Sequence, residues 1–200
     1  MNLRAHPRYR EFKAWFLAHA HEATRVADVF YRIAGPRYTT PADITSGIGA
    51  QKAGGRWNPP GLMKVVYLSR TPETALFEAN EHARYYGLPL CESMPKVAVS
   101  VRVDVDKILD LANPTFHTTL PEPVANVMAE DWREVMQRKK EPIAQAIGRA
   151  VYKAGLNGVI VPSKPHPSGI NLVLFPAGFT ADCSLEVLNP AALEKLGKPT

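Results

Sequence analysis

The sequence predicts a single α+β domain with mixed helices and strands. Three observations point there. The chain has 200 residues, within the roughly 100–200 of a typical domain. Its apolar residues repeat every second position in some segments and every three to four in others. The two kinds of segment do not alternate regularly, so a doubly wound sheet is not implied.

Along the chain, residues 8–24 carry Phe12, Trp15, Phe16, Ala20 and Ala23 at helical spacing and read as an amphipathic helix. Val26 to Ile33 reads as a strand that Gly35-Pro36 stops. Residues 35–63 are rich in Gly, Pro, Thr and Ser and read as one long loop, a feature that is often functional. Lys64 to Ser69 is a strand; Thr71 then caps a helix that begins with Pro72 and runs to about Tyr86. The alternating valines of Lys96–Val103 predict a strand, with a short separate one at 108–111. Residues 121–140 and 142–154 read as helices; 158–162, 170–175 and 185–188 read as strands, the first two separated by the Gly/Pro loop 163–169. By this reading 1–25 form an N-terminal helical extension, 26–190 the functional domain and 191–200 a tail.

The bulk properties exclude several classes. Cys91 and Cys183 form no CxxC pair and read as reduced thiols of a cytoplasmic protein. No Cys/His spacing suggests a metal site, no signal peptide opens the chain, and no apolar run approaches the ~20 residues of a membrane span. The formal net charge of +5 favours an anionic partner. Basic residues are not interleaved with aromatics along one element, so direct nucleic-acid binding is not expected. Neither GxGxxG after a strand nor GxxxxGK[ST] is present, so a nucleotide would be held without those cradles.

The segment Gly54-Gly55-Arg56-Trp57-Asn58-Pro59-Pro60-Gly61 stands out. Its first two glycines permit close backbone approach and its two prolines stiffen the end of the segment, so Arg56 is well placed for bidentate contact with phosphate. A bare Gly-Gly-Arg would read as a surface turn with the arginine packed on Trp57. Tyr67 lies in the next strand, either as core or facing a cleft where it stacks or donates a hydrogen bond. Glu78 sits amid Leu76, Phe77 and Ala79, where a carboxylate needs a partner; His82, four residues on, is its expected structural partner. Ser163 ends one strand and Asn171 begins another; each alone is an ordinary turn or edge residue.

Taken in order, GGRWNPPG, the tyrosine of VVYLS, the glutamate of ALFEANEH and VPS followed by NLVLF resemble the RES-domain family over roughly residues 28–176. The resemblance implies a fold similar to ADP-ribosyltransferases and a bacterial toxin neutralised by an Xre-like antitoxin. It implies cleavage of NAD⁺ at the nicotinamide–ribose bond, by hydrolysis or by phosphorolysis with inorganic phosphate as co-substrate, and no other cofactor. Its site residues map to Arg56, Tyr67, Glu78 and Ser163, with Arg32 and Asn171 as further ligand contacts; Ser168 competes with Ser163 for the serine role. Alternatives are mono-ADP-ribosylation of a protein, a nucleic-acid-targeting toxin and a non-catalytic partner-binding module. A homo-oligomer is compatible with all of them.

Overall fold

A computed structural model describes residues 3–89, 91, 94, 96–117 and 119–196. The elements run α1 (Tyr9–His19), a 3₁₀ turn (Ala20–Glu22), β1 (Thr24–Ala34), α2 (Pro41–Thr45), α3 (Ile48–Ala53), β2 (Val66–Ser69), α4 (Pro72–Tyr85) and β3 (Val97–Asp110). Next come α5 (Pro114–His117), α6 (Val124–Ala129), α7 (Trp132–Gln137), α8 (Ile143–Lys153), β4 (Gly158–Pro162), β5 (Ile170–Leu174), β6 (Ser184–Val187) and α9 (Pro190–Leu196). The mixed α+β reading matches this order.

Three local expectations need correction. The strand at 96–103 and the short one at 108–111 are a single strand, β3. Its valines alternate as far as Val105; Lys107 then takes φ 54°, and Ile108 and Leu109 are both buried. The facing strand shifts register between Thr24 and Val26, so a bulge changes the alternation without ending the pairing. The helix expected over 121–140 is two, because Glu130 is extended (φ −57°, ψ 132°). Asp131 then caps α7, its Oδ1 accepting from the backbone N–H groups of Arg133 and Glu134, each at 3.1 Å. The loop expected over 35–63 contains α2 and α3. Thr40 caps the first by accepting from the Asp43 N–H at 3.2 Å, with Pro41 at its first position.

The sheet order is β1-β2-β5-β4-β3-β6, and β1 also pairs with β3, so five strands close a circuit with β6 outside it. Along β5, alternate residues enter two cores. Leu172 and Leu174 join Phe30, Val66, Leu68 and the β3 valines, capped by Ile44 and by Leu193 of α9. Val173 and Phe175 face the other core, with Val159 and Val161 of β4 and residues of α1 and α8.

Phe12 and Phe16 of α1 are fully buried there, each burial stabilising the fold by about 2 kcal/mol. A polar clasp reinforces the helix pair. Arg149 of α8 forks onto the buried Glu141 at 2.8 and 2.7 Å and lies 3.4 Å from the Tyr9 ring centroid. Glu141 also accepts the His6 N–H at 2.8 Å.

Candidate active site

A cavity of about 730 Å³ opens where β1, β2 and β5 meet α4 and α7, a size suited to a small-molecule ligand. Its floor follows from strand register. Asn171 pairs with Ser69 on one side and Val161 on the other. The pleat therefore places Ser69, Asn171 and, two positions beyond Val161, Ser163 on one face of three adjacent strands. Ser163 is kept in line by its N–H, which donates to the Gly169 carbonyl at 2.8 Å.

Across from this row, α4 presents Ala75, Glu78 and Ala79, spaced three and four apart, to the cavity. Thr71 caps the helix through the Thr74 N–H at 3.1 Å. One oxygen of Glu78, Oε1, accepts from both Ser163 Oγ (2.7 Å) and Asn171 Nδ2 (2.6 Å). Ser69 Oγ donates to Asn171 Oδ1 at 2.7 Å, which fixes the amide's orientation. Among the described residues Glu78 Oε2 has no hydrogen-bond partner. Glu78 is half-buried and Leu76 is 45% exposed, so the helix segment is less enclosed than its composition implied. The His82 side chain lies outside the described residues.

The Gly54–Gly61 segment forms another wall. Gly55 and Asn58 close a tight turn through reciprocal backbone hydrogen bonds of 2.9 and 3.3 Å. The buried Asn58 side chain donates to the Ala50 carbonyl at 2.8 Å. Tyr67 locks the turn from below: its hydroxyl donates to Asn58 Oδ1 at 2.7 Å and accepts the Trp57 N–H at 3.1 Å. Burial pushes the Tyr67 phenol well above its ordinary range. Tyr67 does line the cavity, but its hydroxyl is engaged with the turn.

Two close approaches require glycine. A Cβ on Gly55 would stand 2.6 Å from the Tyr67 hydroxyl, and one on Gly148 of α8 would stand 1.9 Å from the Trp57 carbonyl oxygen. From α8, the fully buried Gln145 also donates to the Gly55 carbonyl at 2.9 Å.

Cations surround the same space: Arg32, Arg56, Arg133 and Lys164 line it, together with the carboxylates Glu78 and Glu81. Arg56 Nη1 donates to the Glu130 carbonyl at 3.3 Å, and Arg32 Nη1 to the Ile44 carbonyl at 2.7 Å. Among the described residues no carboxylate reaches either guanidinium at ion-pair distance. Burial lowers both pKa values, partly offset by Glu78 near Arg56 and Asp43 near Arg32. Desolvated cations without a directly paired carboxylate favour an anionic ligand.

Six of the sequence-selected residues surround this one space. Arg32, Arg56, Tyr67, Glu78 and Asn171 line the cavity, and Ser163, 5% exposed, binds Glu78 behind it. Ser168 is exposed and not among the lining residues. Sequence reasoning missed Ser69, Gln145, Arg133 and His166. Thr74 Oγ1 lies 2.9 Å from His166 Nδ1, the imidazole stacks on Phe77 at 4.8 Å, and the His166 N–H donates to Ser163 Oγ at 3.3 Å. Only the folded chain brings these partners together, from β2, α4, α7, α8 and the loop after β4. Among the described residues no group of three His, Cys, Asp or Glu side chains is placed to hold a metal ion, and no helix is long and apolar enough to cross a membrane.

Comparison with known proteins sharpens the picture. The RES domain model matches residues 29–190. The NAD(+) phosphorylase MbcT of Mycobacterium tuberculosis is 30% identical over 142 residues, 69% of either chain. The Prs ADP-ribosylating toxin of Sphingobium sp. (strain YBL2) is 29% identical over 153 residues, 74% of this chain and 82% of that one. The crystal structure of the M. tuberculosis MbcT–MbcA toxin–antitoxin complex contains a similar fold, with a TM-score of 0.65, 22% identity, and coverage of 93% of this chain and 98% of that chain.

Proposed function

The chain belongs to the RES domain family, and from that premise we propose that it is a toxin that cleaves NAD⁺ at the nicotinamide–ribose bond. The observation that carries this reading is Glu78: one oxygen is anchored by Ser163 and Asn171 at the wall of an arginine-rich cavity, and the other has no partner among the described residues.

The chemistry follows from the substrate. Nicotinamide is a cationic leaving group on an anomeric carbon, and its departure develops oxocarbenium character on the ribose. As the C–N bond breaks, its electron pair neutralises the pyridinium nitrogen and positive charge grows on the sugar. The fixed Glu78 carboxylate stabilises that charge electrostatically, by about 3 kcal/mol. Arg56, with Arg32, holds phosphate oxygens of the dinucleotide. Ser163 and Asn171 orient the carboxylate, and Tyr67 holds the turn that presents Arg56 and packs against the ribose or nicotinamide. An oxygen of inorganic phosphate then bonds to the anomeric carbon, giving a ribosyl phosphate, or water does so and loses a proton.

The MbcT relative, named as an NAD(+) phosphorylase, favours phosphate; the Prs ADP-ribosylating relative favours transfer to a protein as the second reading. The fold is taken to be ADP-ribosyltransferase-like, and the toxin to act in the cytoplasm under an Xre-like antitoxin. Incubating the purified protein with ribose-labelled NAD⁺, with and without phosphate and with cell lysate, separates the outcomes. Phosphate-dependent label in ADP-ribose phosphate is expected. Label in ADP-ribose marks hydrolysis, label on protein marks transfer, and intact NAD⁺ throughout overturns the proposal.

A further inference from the structure

The geometry points to Arg133 as a second oxyanion clamp in the cavity, a specificity-determining residue that takes a phosphate group other than the one held by Arg56. Arg133 belongs to α7, outside every motif that marks the site in the sequence, yet it lines the same cavity as Arg56, Glu78 and Asn171.

Its guanidinium is held in place before any ligand arrives. It lies 4.5 Å from the Tyr85 ring centroid and 4.6 Å from that of Trp132. Tyr85 is fixed in turn, its hydroxyl donating to Asp131 Oδ2 at 3.0 Å. Asp131 also accepts two backbone N–H groups of α7, one of them Arg133's own. The Asp131 carboxylate is thus committed to the helix start and to Tyr85, and that of the adjacent Glu134 is paired with Arg138. Among the described residues no carboxylate stands at ion-pair distance from the Arg133 guanidinium.

A guanidinium stacked on aromatic faces keeps its edge N–H groups free for a planar fork onto oxyanion oxygens. Arg133 and Arg56 also act on each other electrostatically. Two like charges facing one cavity repel until an anion enters, and a ligand set with more than one phosphate group relieves both. Lys164 fits the role less well: it is exposed, and its charge acts on Asp131.

The inference rests on the NAD⁺ reading only for the source of the phosphate group, which is either the inorganic co-substrate or the dinucleotide's diphosphate. Calorimetric titration of inorganic phosphate, ADP-ribose and NAD⁺ into the full chain and its R133Q variant tests it. R133M, which keeps an unbranched apolar stem beside both rings, replaces R133Q if the latter loses its melting transition. A tenfold or greater weakening for at least one ligand is expected. Weakening for phosphate alone identifies the co-substrate, and weakening for ADP-ribose and NAD⁺ identifies the diphosphate. Equal affinities for all three in wild type and variant overturn the inference. NAD⁺ consumption measured on the same samples keeps the two readings apart. Wild type that leaves NAD⁺ intact but binds phosphate through Arg133 refutes the function and leaves the clamp standing. Consumption with unchanged R133Q binding does the reverse.

Discussion

The cavity has two walls built in opposite ways. The Gly54–Gly61 wall is contiguous in sequence and held by close packing: a tight turn, a buried asparagine and two glycine approaches. The Glu78 wall is assembled from residues 69, 78, 163 and 171 and held by directional side-chain hydrogen bonds. The first wall positions an arginine through backbone shape. The second orients one carboxylate through partners drawn from three strands. Steric changes should therefore damage the first, while loss of single hydrogen bonds should damage the second.

The largest effect is expected at the second wall. Glu78→Ala should lower the rate of NAD⁺ loss by at least about a hundredfold while the melting temperature stays near that of wild type; a variant that still consumes NAD⁺ at the wild-type rate would remove Glu78 from the chemistry. Gly148→Ala should be the most damaging change to the first wall. Its methyl meets the Trp57 carbonyl, a backbone atom in a turn with little room to yield. Overpacking of this kind costs roughly 1–3 kcal/mol, which thermal melts would register as a drop of several degrees. An unchanged melt would show that α8 and the turn slide apart at little cost.

Tyr67→Phe separates the walls more finely. It deletes the hydroxyl between Asn58 and Trp57 and leaves a buried amide oxygen unpaired, at a cost of about 1–3 kcal/mol. The KM for NAD⁺ should rise more than kcat falls, because the change loosens the Arg56 turn; a fall in kcat alone would instead give the phenol a chemical role. Ser69→Ala should have the smallest effect. It acts only through Asn171, so a loss of two- to tenfold in kcat is expected with KM and stability nearly constant, corresponding to roughly 0.5–1.5 kcal/mol for one hydrogen bond.

The same contrast explains what was legible in the sequence. The first wall could be read because its physics is local: glycine, asparagine and proline at fixed offsets define a turn, and the arginine stands out within it. Glu78 was visible through its apolar surroundings, although Leu76 faces outward and the paired oxygen, not deep burial, holds the carboxylate in place. Ser69 was invisible because its meaning lies in a partner 102 residues away. Arg133 was hidden inside what reads as one helix until the extended Glu130 and the Asp131 cap divide it. Strands with unbroken alternation were easy to place. The Lys107 bulge was not, since a left-handed lysine leaves no mark in the pattern of apolar residues.

The position of β5 has a consequence for how the molecule comes into being. It inserts between β2 and β4, and it carries Asn171 while setting the register that ends at Ser163. A nascent chain emerging from the ribosome therefore displays Arg32, Arg56, Tyr67 and Glu78 long before the partners of Glu78 have been translated. Fragments that stop short of residue 171 hold the cations and the acid but cannot lock the carboxylate in place. A cell making this protein meets the finished arrangement only once residue 171 has been added, and termination before that point yields a product without it.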